Sequence, residues 1–246
     1  MADIDHGEIH LWHIDLADTA HDKSTATLSA DELARWSRFV YARDRNRYLR
    51  CHVALRNILA MYLRQSAADI KFDSDPEGKP RVYGTALRFN LSHSADQAVV
   101  ALTLDGDIGV DIEEFRNVAD CAEVAREYFS SSEFGELQLL PAAEQSHSFL
   151  VCWTRKEALL KATGRGLIGL DRAEVGISPV DVIVHAMDSG DERDFLLQTV
   201  LHWGRAVVSV AAPTDARKVQ CMQWPLPAGR FNASRYHDTR SASAAC

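Results

Sequence analysis

The sequence lacks the features that mark disulfide-rich, zinc-finger and membrane-spanning proteins. Its five cysteines are scattered and form no Cys-x-x-Cys pair. An odd number at such spacing fits neither a disulfide framework nor a zinc site, and reduced thiols are the default inside the cell. No apolar run approaches the ~18 residues that a transmembrane helix needs. Residues 1–13 show no basic segment followed by an apolar run, as a signal peptide would. We therefore expect a cytoplasmic protein with no membrane contact.

Basic residues are also fewer than acidic ones. The sequence has 27 Lys and Arg residues and 35 Asp and Glu residues, which gives a formal net charge of −8. This balance argues against a general nucleic-acid surface. The 246 residues are 46% apolar and 25% charged, which is ordinary globular composition. The length fits one large domain or two halves of about 120 residues.

Two carboxylates lie on a short apolar segment, Gly-Val-Asp-Ile-Glu at residues 109–113. On a strand, Asp111 and Glu113 point to the same face, while Val110 and Ile112 point to the other. Two such oxygen donors suit a hard cation such as Mg²⁺. Alone, the pair fits two solvated acids at a strand end at least as well.

Groups suited to phosphate occur in the first half of the chain. Residues 31–63 contain seven arginines, among them Arg35 and Arg47, in a helical composition with a break expected near residues 41–44. Arginine matches phosphate geometry, although such a run also fits a solvated helix face. Lys79 lies between Gly and Pro in a loop, and Ser92 and His93 follow an apolar strand pattern. Each of these alone also fits an ordinary polar surface.

A long helix is predicted over residues 147–163, closed by a glycine at residue 164. Trp153, Glu157 and Lys161 recur at every fourth position and share one face. Taken alone, Glu157 and Lys161 also fit an exposed helix ion pair worth about 0.3–0.5 kcal/mol.

The two halves of the chain repeat one order of elements, which suggests an internal duplication with a ligand cleft between the halves. Helices over residues 31–63 precede strands, and helices over residues 118–163 precede strands expected at residues 175–183, 195–203 and 206–212. We divide the chain into an N-terminal half (residues 1–106), a C-terminal half (residues 107–226) and a tail (residues 227–246) that we expect to be disordered.

Five motifs occur together in a fixed order. They are Gly-Lys-Pro at residues 78–80, Phe-Asn-Leu-Ser-His-Ser at 89–94, Gly-Val-Asp-Ile-Glu at 109–113, Phe-Ser-Ser-Ser-Glu at 129–133, and Trp-Thr-Arg-Lys-Glu-Ala-Leu-Leu-Lys at 153–161. In this order and at these spacings the chain resembles the 4′-phosphopantetheinyl transferases of the larger, monomeric, Sfp-like type. The resemblance covers roughly residues 28–170.

This resemblance implies an α+β fold of two similar halves, each with a long helix packed on a small antiparallel sheet. It implies transfer of the phosphopantetheine arm of coenzyme A to a serine of an acyl or peptidyl carrier protein, releasing adenosine 3′,5′-bisphosphate. It also implies a monomer that depends on Mg²⁺, with coenzyme A bound between the halves.

The resemblance assigns the site residue by residue. Asp111, Glu113 and Glu157 match the magnesium-binding carboxylates, and Glu157 also matches the group that takes the serine proton, directly or through water. Lys161 matches a residue that stabilises charge on the phosphates.

Further residues match contacts to coenzyme A. Ser92 and His93 align with phosphate contacts, Lys79 with a contact near the adenine, and Arg35 with a basic residue near the 3′-phosphate. Arg47 is a further candidate because of its place on the Arg-rich helix. Two rival functions remain, a coenzyme A-binding regulator without catalysis and a Mg²⁺-dependent phosphohydrolase.

Overall fold

The computed structural model describes residues 2–18, 24–76, 78–164, 173–188, 191–203, 205–216 and 218–225. The helices are α1 (Ala30–Ser37), α2 (Ala42–Leu63), α3 (Cys121–Tyr128), α4 (Ser131–Leu139) and α5 (Ala142–Thr163). The strands are β1 (Glu8–Asp15), β2 (Phe72–Ser74), β3 (Pro80–Val82), β4 (Arg88–Ser94), β5 (Gln97–Thr103), β6 (Gly109–Glu114), β7 (Val182–Asp188), β8 (Asp191–Trp203), β9 (Ala206–Pro213) and β10 (Lys218–Trp224). No helix within these ranges is both long enough and apolar enough to cross a bilayer.

The strands form two four-stranded sheets and a small ribbon. The first sheet has the order β10-β1-β5-β4 and the second the order β6-β9-β8-β7, while β2 and β3 pair with each other. Every pairing is antiparallel except that of β1 with β10. The α+β fold of two similar halves is confirmed, with the correction that the first sheet is mixed.

Each half places one 22-residue helix on one face of its sheet. In the first half, Leu55 and Ile58 of α2 pack on Trp12 and Val100 of the sheet. In the second half, α5 packs on β8 and β9. The other faces of the two sheets share a third apolar cluster that includes residues from β1, β5, β6 and β9. Strand alternation produces this layering, because successive side chains enter different clusters.

Two capping boxes fix the starts of helices in corresponding places of the halves. Ser29 caps α1 and bonds reciprocally with Glu32, and Ser130 caps α4 and bonds reciprocally with Glu133. Each pair satisfies backbone donors that the first helical turn leaves free. The break between α1 and α2 spans residues 38–41, slightly earlier than the predicted break near residues 41–44.

Gly109 allows the strand that carries the two acids to touch α5. A Cβ atom at this position would lie 1.9 Å from the carbonyl oxygen of Ala158 and 2.4 Å from the backbone nitrogen of Ala162. Any side chain would therefore push β6 away from the helix.

Several predicted boundaries need correction. The strand expected at residues 175–183 is instead β7, which begins at Val182, and α5 begins at Ala142, earlier than predicted. The predicted C-terminal half, residues 107–226, includes residues 218–224, but β10 pairs with β1 of the first sheet. The predicted disordered tail, residues 227–246, lies outside the described residues.

Candidate active site

The site is built where the edge strand β4 of the first half meets the edge strand β6 of the second. Alternate polar side chains of β4 bridge the two strands. Asn90 Oδ1 accepts a hydrogen bond from the Val110 backbone at 2.9 Å, Ser92 donates to Asp111 Oδ1 at 2.8 Å, and Ser94 donates to Glu113 Oε2 at 2.9 Å. Asp111 and Glu113 therefore point toward the same neighbour, as predicted for alternate residues of a strand.

Lys161 joins the last turn of α5 to this junction. Its Nζ donates to Asp111 Oδ1 at 2.6 Å and to Ser92 Oγ at 3.0 Å. Asp111 is 5% exposed, and its burial raises its pKa, although Lys161 and Ser92 act in the opposite direction. Three predicted site residues, from β4, β6 and α5, thus form one hydrogen-bonded cluster.

Asp111 presents a second oxygen with no hydrogen-bond partner. Its Oδ2 atom is buried and unpaired among the described residues. A buried carboxylate oxygen without a donor is costly, and it suits a hard cation that prefers oxygen ligands. The chemistry at Asp111 therefore fits a magnesium ion.

Glu157 lies one helical turn before Lys161 and faces the same acids. Burial raises the pKa of Glu157, and the negative charge of Asp111 raises it further, while Lys161 lowers it. Glu113 adds a smaller repulsion and is itself paired with Arg116 at 2.6 Å. No cluster of three or more His, Cys, Asp or Glu side chains in the described ranges is already arranged to hold a metal. The three-carboxylate ligand set therefore remains a prediction.

Three cationic side chains lie close enough to His93 to affect its charge. Partial burial lowers the pKa of His93, and the positive charges of Lys161, Arg47 and Arg35 lower it further. Arg47 is held by Asp96 at 2.7 Å. The exposed Arg35 lies over the ring of Tyr48, 5.6 Å from its centroid. The predicted phosphate-binding residues of the first half thus lie on the side of the junction that Lys161 reaches.

Lys79 is placed differently from these residues. Its side chain is only 8% exposed, and Nζ donates to the carbonyl oxygen of Ala162 at 3.0 Å. The predicted contact of Lys79 with coenzyme A remains a prediction, and the structure adds a contact between the halves that the sequence did not reveal.

The arginine run divides into structural and surface residues. Arg56 is 1% exposed, pairs with Glu32 at 2.7 Å and donates to the carbonyls of Ala67 and Ile70. It therefore supports the fold of the first half. The exposed Arg38 and Arg43 belong to the surface.

Sequence reasoning missed the supporting role of the two residues before Glu157. Arg155 donates to Thr199 and to the carbonyls of Val175 and Val180. Lys156 Nζ lies 2.9 Å from Glu133 Oε2 and donates to the Ala173 carbonyl. The sequence contains one indication of this supporting role. Helical periodicity places Lys156 on a different face of α5 from Glu157 and Lys161.

Ser94 and Asn90 were also missed as junction residues. Asn90, Ser92 and Ser94 occupy every second position of β4. That spacing places their polar side chains on one side of the strand, which would have predicted a shared role.

Two family models match the chain. A family model described as the 4′-phosphopantetheinyl transferase superfamily matches residues 107–211. A second, described as the N-terminal part of 4′-phosphopantetheinyl transferase, matches residues 16–104.

Curated relatives carry the same description. The 4′-phosphopantetheinyl transferase HetI of Nostoc sp. is 38% identical over 180 residues, which cover 71% of this chain and 76% of the relative. The 4′-phosphopantetheinyl transferase psf-1 of Bacillus pumilus is 36% identical over 141 residues, covering 57% of this chain and 59% of the relative. The transferase Sfp of Bacillus subtilis is 28% identical over 153 residues, covering 62% and 67%. The matches span both halves and the junction between them, and the chain belongs to the 4′-phosphopantetheinyl transferase superfamily of enzymes.

Proposed function

We propose that this protein transfers the 4′-phosphopantetheine group of coenzyme A to a serine of an apo acyl or peptidyl carrier protein. The observation that carries this proposal is the cluster of Ser92, Asp111 and Lys161, which joins the two halves at the cation-rich surface around His93. Such a site offers positive charge and hydrogen-bond donors for a pyrophosphate, with carboxylates beside them.

The chemistry is a displacement at phosphorus. The oxygen of the carrier serine forms a bond to the phosphorus that bears the pantetheine arm. The bond from that phosphorus to the bridging oxygen breaks, and adenosine 3′,5′-bisphosphate leaves with the electron pair. Glu157 takes the serine proton, directly or through water. Lys161 stabilises negative charge on the phosphates, and Ser92 and His93 hold their oxygens.

Magnesium fits this site on the basis of the unpaired Asp111 Oδ2. Asp111, Glu113 and Glu157 would hold the ion. When bound, Mg²⁺ neutralises charge on the pyrophosphate. Arg35 and Arg47 contribute to binding the adenosine end of coenzyme A in this proposal. The protein acts as a cytoplasmic monomer, without nucleic acid or membrane as a partner.

The test is intact-mass spectrometry of an apo acyl carrier protein incubated with this protein, coenzyme A and Mg²⁺. We expect a mass gain equal to one phosphopantetheine group, which disappears when a chelator is added. Binding of coenzyme A with no gain on several acyl and peptidyl carriers would favour the silent regulator. Release of phosphate without a carrier would favour the phosphohydrolase. A carrier whose serine is replaced by alanine provides the matched control.

A further inference from the structure

A group of charged side chains links the ribbon β2–β3 of the first half to the start of β6 and the end of α5. Arg81 Nη2 lies 2.8 Å from Asp107 Oδ2 and 3.2 Å from Asp75 Oδ2. Lys79 Nζ and Arg88 Nε lie 3.9 Å and 3.7 Å from Asp107 Oδ1. Asp107 is thus approached by three cations from the first half. We call Lys79, Arg81, Arg88, Asp75 and Asp107 the charged clamp.

The loop that carries Lys79 is itself held firmly. Asp75 Oδ1 accepts a hydrogen bond from the Lys79 backbone at 2.7 Å, and the Asp75 backbone donates to the Lys79 carbonyl at 3.0 Å. The backbone of Gly78, at φ +86°, donates to the Asp75 carbonyl at 2.9 Å. The ammonium of Lys79 is therefore presented from a closed loop.

The clamp acts on two elements that carry the active site. Lys79 Nζ donates to the carbonyl of Ala162 at 3.0 Å, in the last turn of α5, where carbonyls run out of intrahelical partners and a cation is favourable. Ala162 follows Lys161 directly. Asp107 precedes β6 and stands four residues before Asp111. One set of charges therefore contacts α5 next to Lys161 and the segment that leads into β6, four residues before Asp111.

We propose that Lys79 and Asp107 are positioning residues, which fix the last turn of α5 against β6 and so hold Lys161 on Asp111. The catalytic part of this proposal rests on the proposed transferase function, while the structural part does not. In this proposal Lys79 affects catalysis by holding α5 in place, and its ammonium does not contact coenzyme A.

Hydrogen exchange tests the structural part without any turnover. In Lys79→Gln, we expect the amides in the last turn of α5 to exchange roughly tenfold faster, as loss of a hydrogen bond from a charged donor predicts. Lys71→Gln is the matched control, because Lys71 is exposed and precedes the same ribbon. We expect its exchange to match that of the unaltered protein. Unchanged exchange in Lys79→Gln would overturn the proposal.

Kinetics and coenzyme A binding separate positioning from direct contact. In Lys79→Gln and Asp107→Asn we expect kcat to fall on the order of 10- to 100-fold, as misplacement of a catalytic group predicts. We expect the Kd for coenzyme A to change by less than about threefold, because no direct contact is removed. Lys79→Arg, which keeps a donor and a charge, should recover part of kcat.

The double variant Lys79→Gln/Asp107→Asn tests whether the two residues act as one unit. We expect its loss of kcat to be smaller than the product of the two single losses, because the residues belong to one charge network. A large rise in Kd with unchanged kcat would overturn the proposal in favour of direct contact by Lys79. If the unaltered protein modifies no carrier, the proposed function fails, and the exchange measurement still decides the structural part.

Discussion

The ammonium of Lys161 lies 2.6 Å from Asp111 Oδ1 and thereby joins the end of α5 to the strand β6. Both residues also share the hydroxyl of Ser92 on β4. Asp111 Oδ1 is therefore the point at which α5, β4 and β6 meet.

Replacement of Lys161 by Met should reduce carrier modification by on the order of 10²-fold or more, because its ammonium, paired with Asp111, is proposed to stabilise negative charge on the phosphates. The measurement is the initial rate of mass gain on the carrier. Lys71→Met, at an exposed lysine, serves as the control and should keep the normal rate. Turnover within a factor of two of normal in Lys161→Met would remove this residue from the proposed mechanism.

Glu157→Gln should abolish transfer while leaving the thermal midpoint of unfolding equal to or above that of the unaltered protein in metal-free buffer. Burial raises the pKa of Glu157, and repulsion from Asp111 and Glu113 raises it further, so its charge opposes folding. Loss of the proton acceptor accounts for the loss of transfer. The two readouts are the mass gain on the carrier and thermal unfolding followed by circular dichroism. A clear fall in the midpoint would assign Glu157 a structural role instead.

The stability of the fold should decrease as pH falls, in part through His52. Burial is the main cause that lowers the pKa of His52 from 6.5 to about 4. The positive charge of Arg35 and the neighbouring His93 lower it further. The hydrogen bond to the Tyr48 carbonyl and the negative charge of Glu32 raise it, but by less. Between these two values the unfolded chain binds a proton that the folded chain does not. Acidification through that range therefore favours unfolding.

The measurement for His52 is the thermal midpoint from pH 7.5 to pH 5 in the unaltered protein and in His52→Gln, whose amide can still donate to the Tyr48 carbonyl. We expect a smaller fall in the variant, because one group with a lowered pKa is gone. The exposed His185 provides the control His185→Gln, which should follow the unaltered protein. Equal falls in all three proteins would contradict this role of His52.

Lys156→Met should destabilise the protein by about 3–5 kcal/mol, as loss of one partner from a buried ion pair predicts. Lys156 and Glu133 are 1% and 2% exposed. Burial alone would raise the pKa of Glu133, but the hydrogen bond and charge of Lys156 outweigh it and lower the pKa. The free energy of unfolding in urea is the measurement.

Two comparisons sharpen the test of Lys156. Replacement of Arg64 by Met breaks an exposed pair with Asp3 and should cost no more than about 1 kcal/mol. The double variant Lys156→Met/Glu133→Gln should lose less stability than the sum of the two single variants, because it leaves no uncompensated buried charge. Strict additivity would show that the pair does not act as a unit.

Much of the local structure was readable from the sequence because its signals are local. The end of the long helix at Thr163 and the alternation of Asp111 and Glu113 depend on residues a few positions apart. The fold class was implied by the family resemblance that the motifs carry, and the two-half organisation by the repeated order of helices and strands.

The contacts between distant segments were not readable. The amino-acid pattern of neither β1 nor β10 indicates that the two strands pair, since any apolar strand offers a suitable edge. The contact of Lys79 with the Ala162 carbonyl depends on where a loop of one half meets a helix of the other. The buried Arg155 and Lys156 oppose the general rule that such residues remain exposed.

The parallel pairing of β1 with β10 has a consequence for how the chain is made. The two strands are separated by about two hundred residues, and such distant pairing forms slowly because a long loop must close first. On the ribosome, β1 and β5 emerge before the second sheet, while β10, which covers the other edge of β1, emerges only after β9. Until then the first sheet exposes an unpaired edge, a known template for aggregation. The two halves repeat one plan, yet the first of them is finished only when the second has been synthesised.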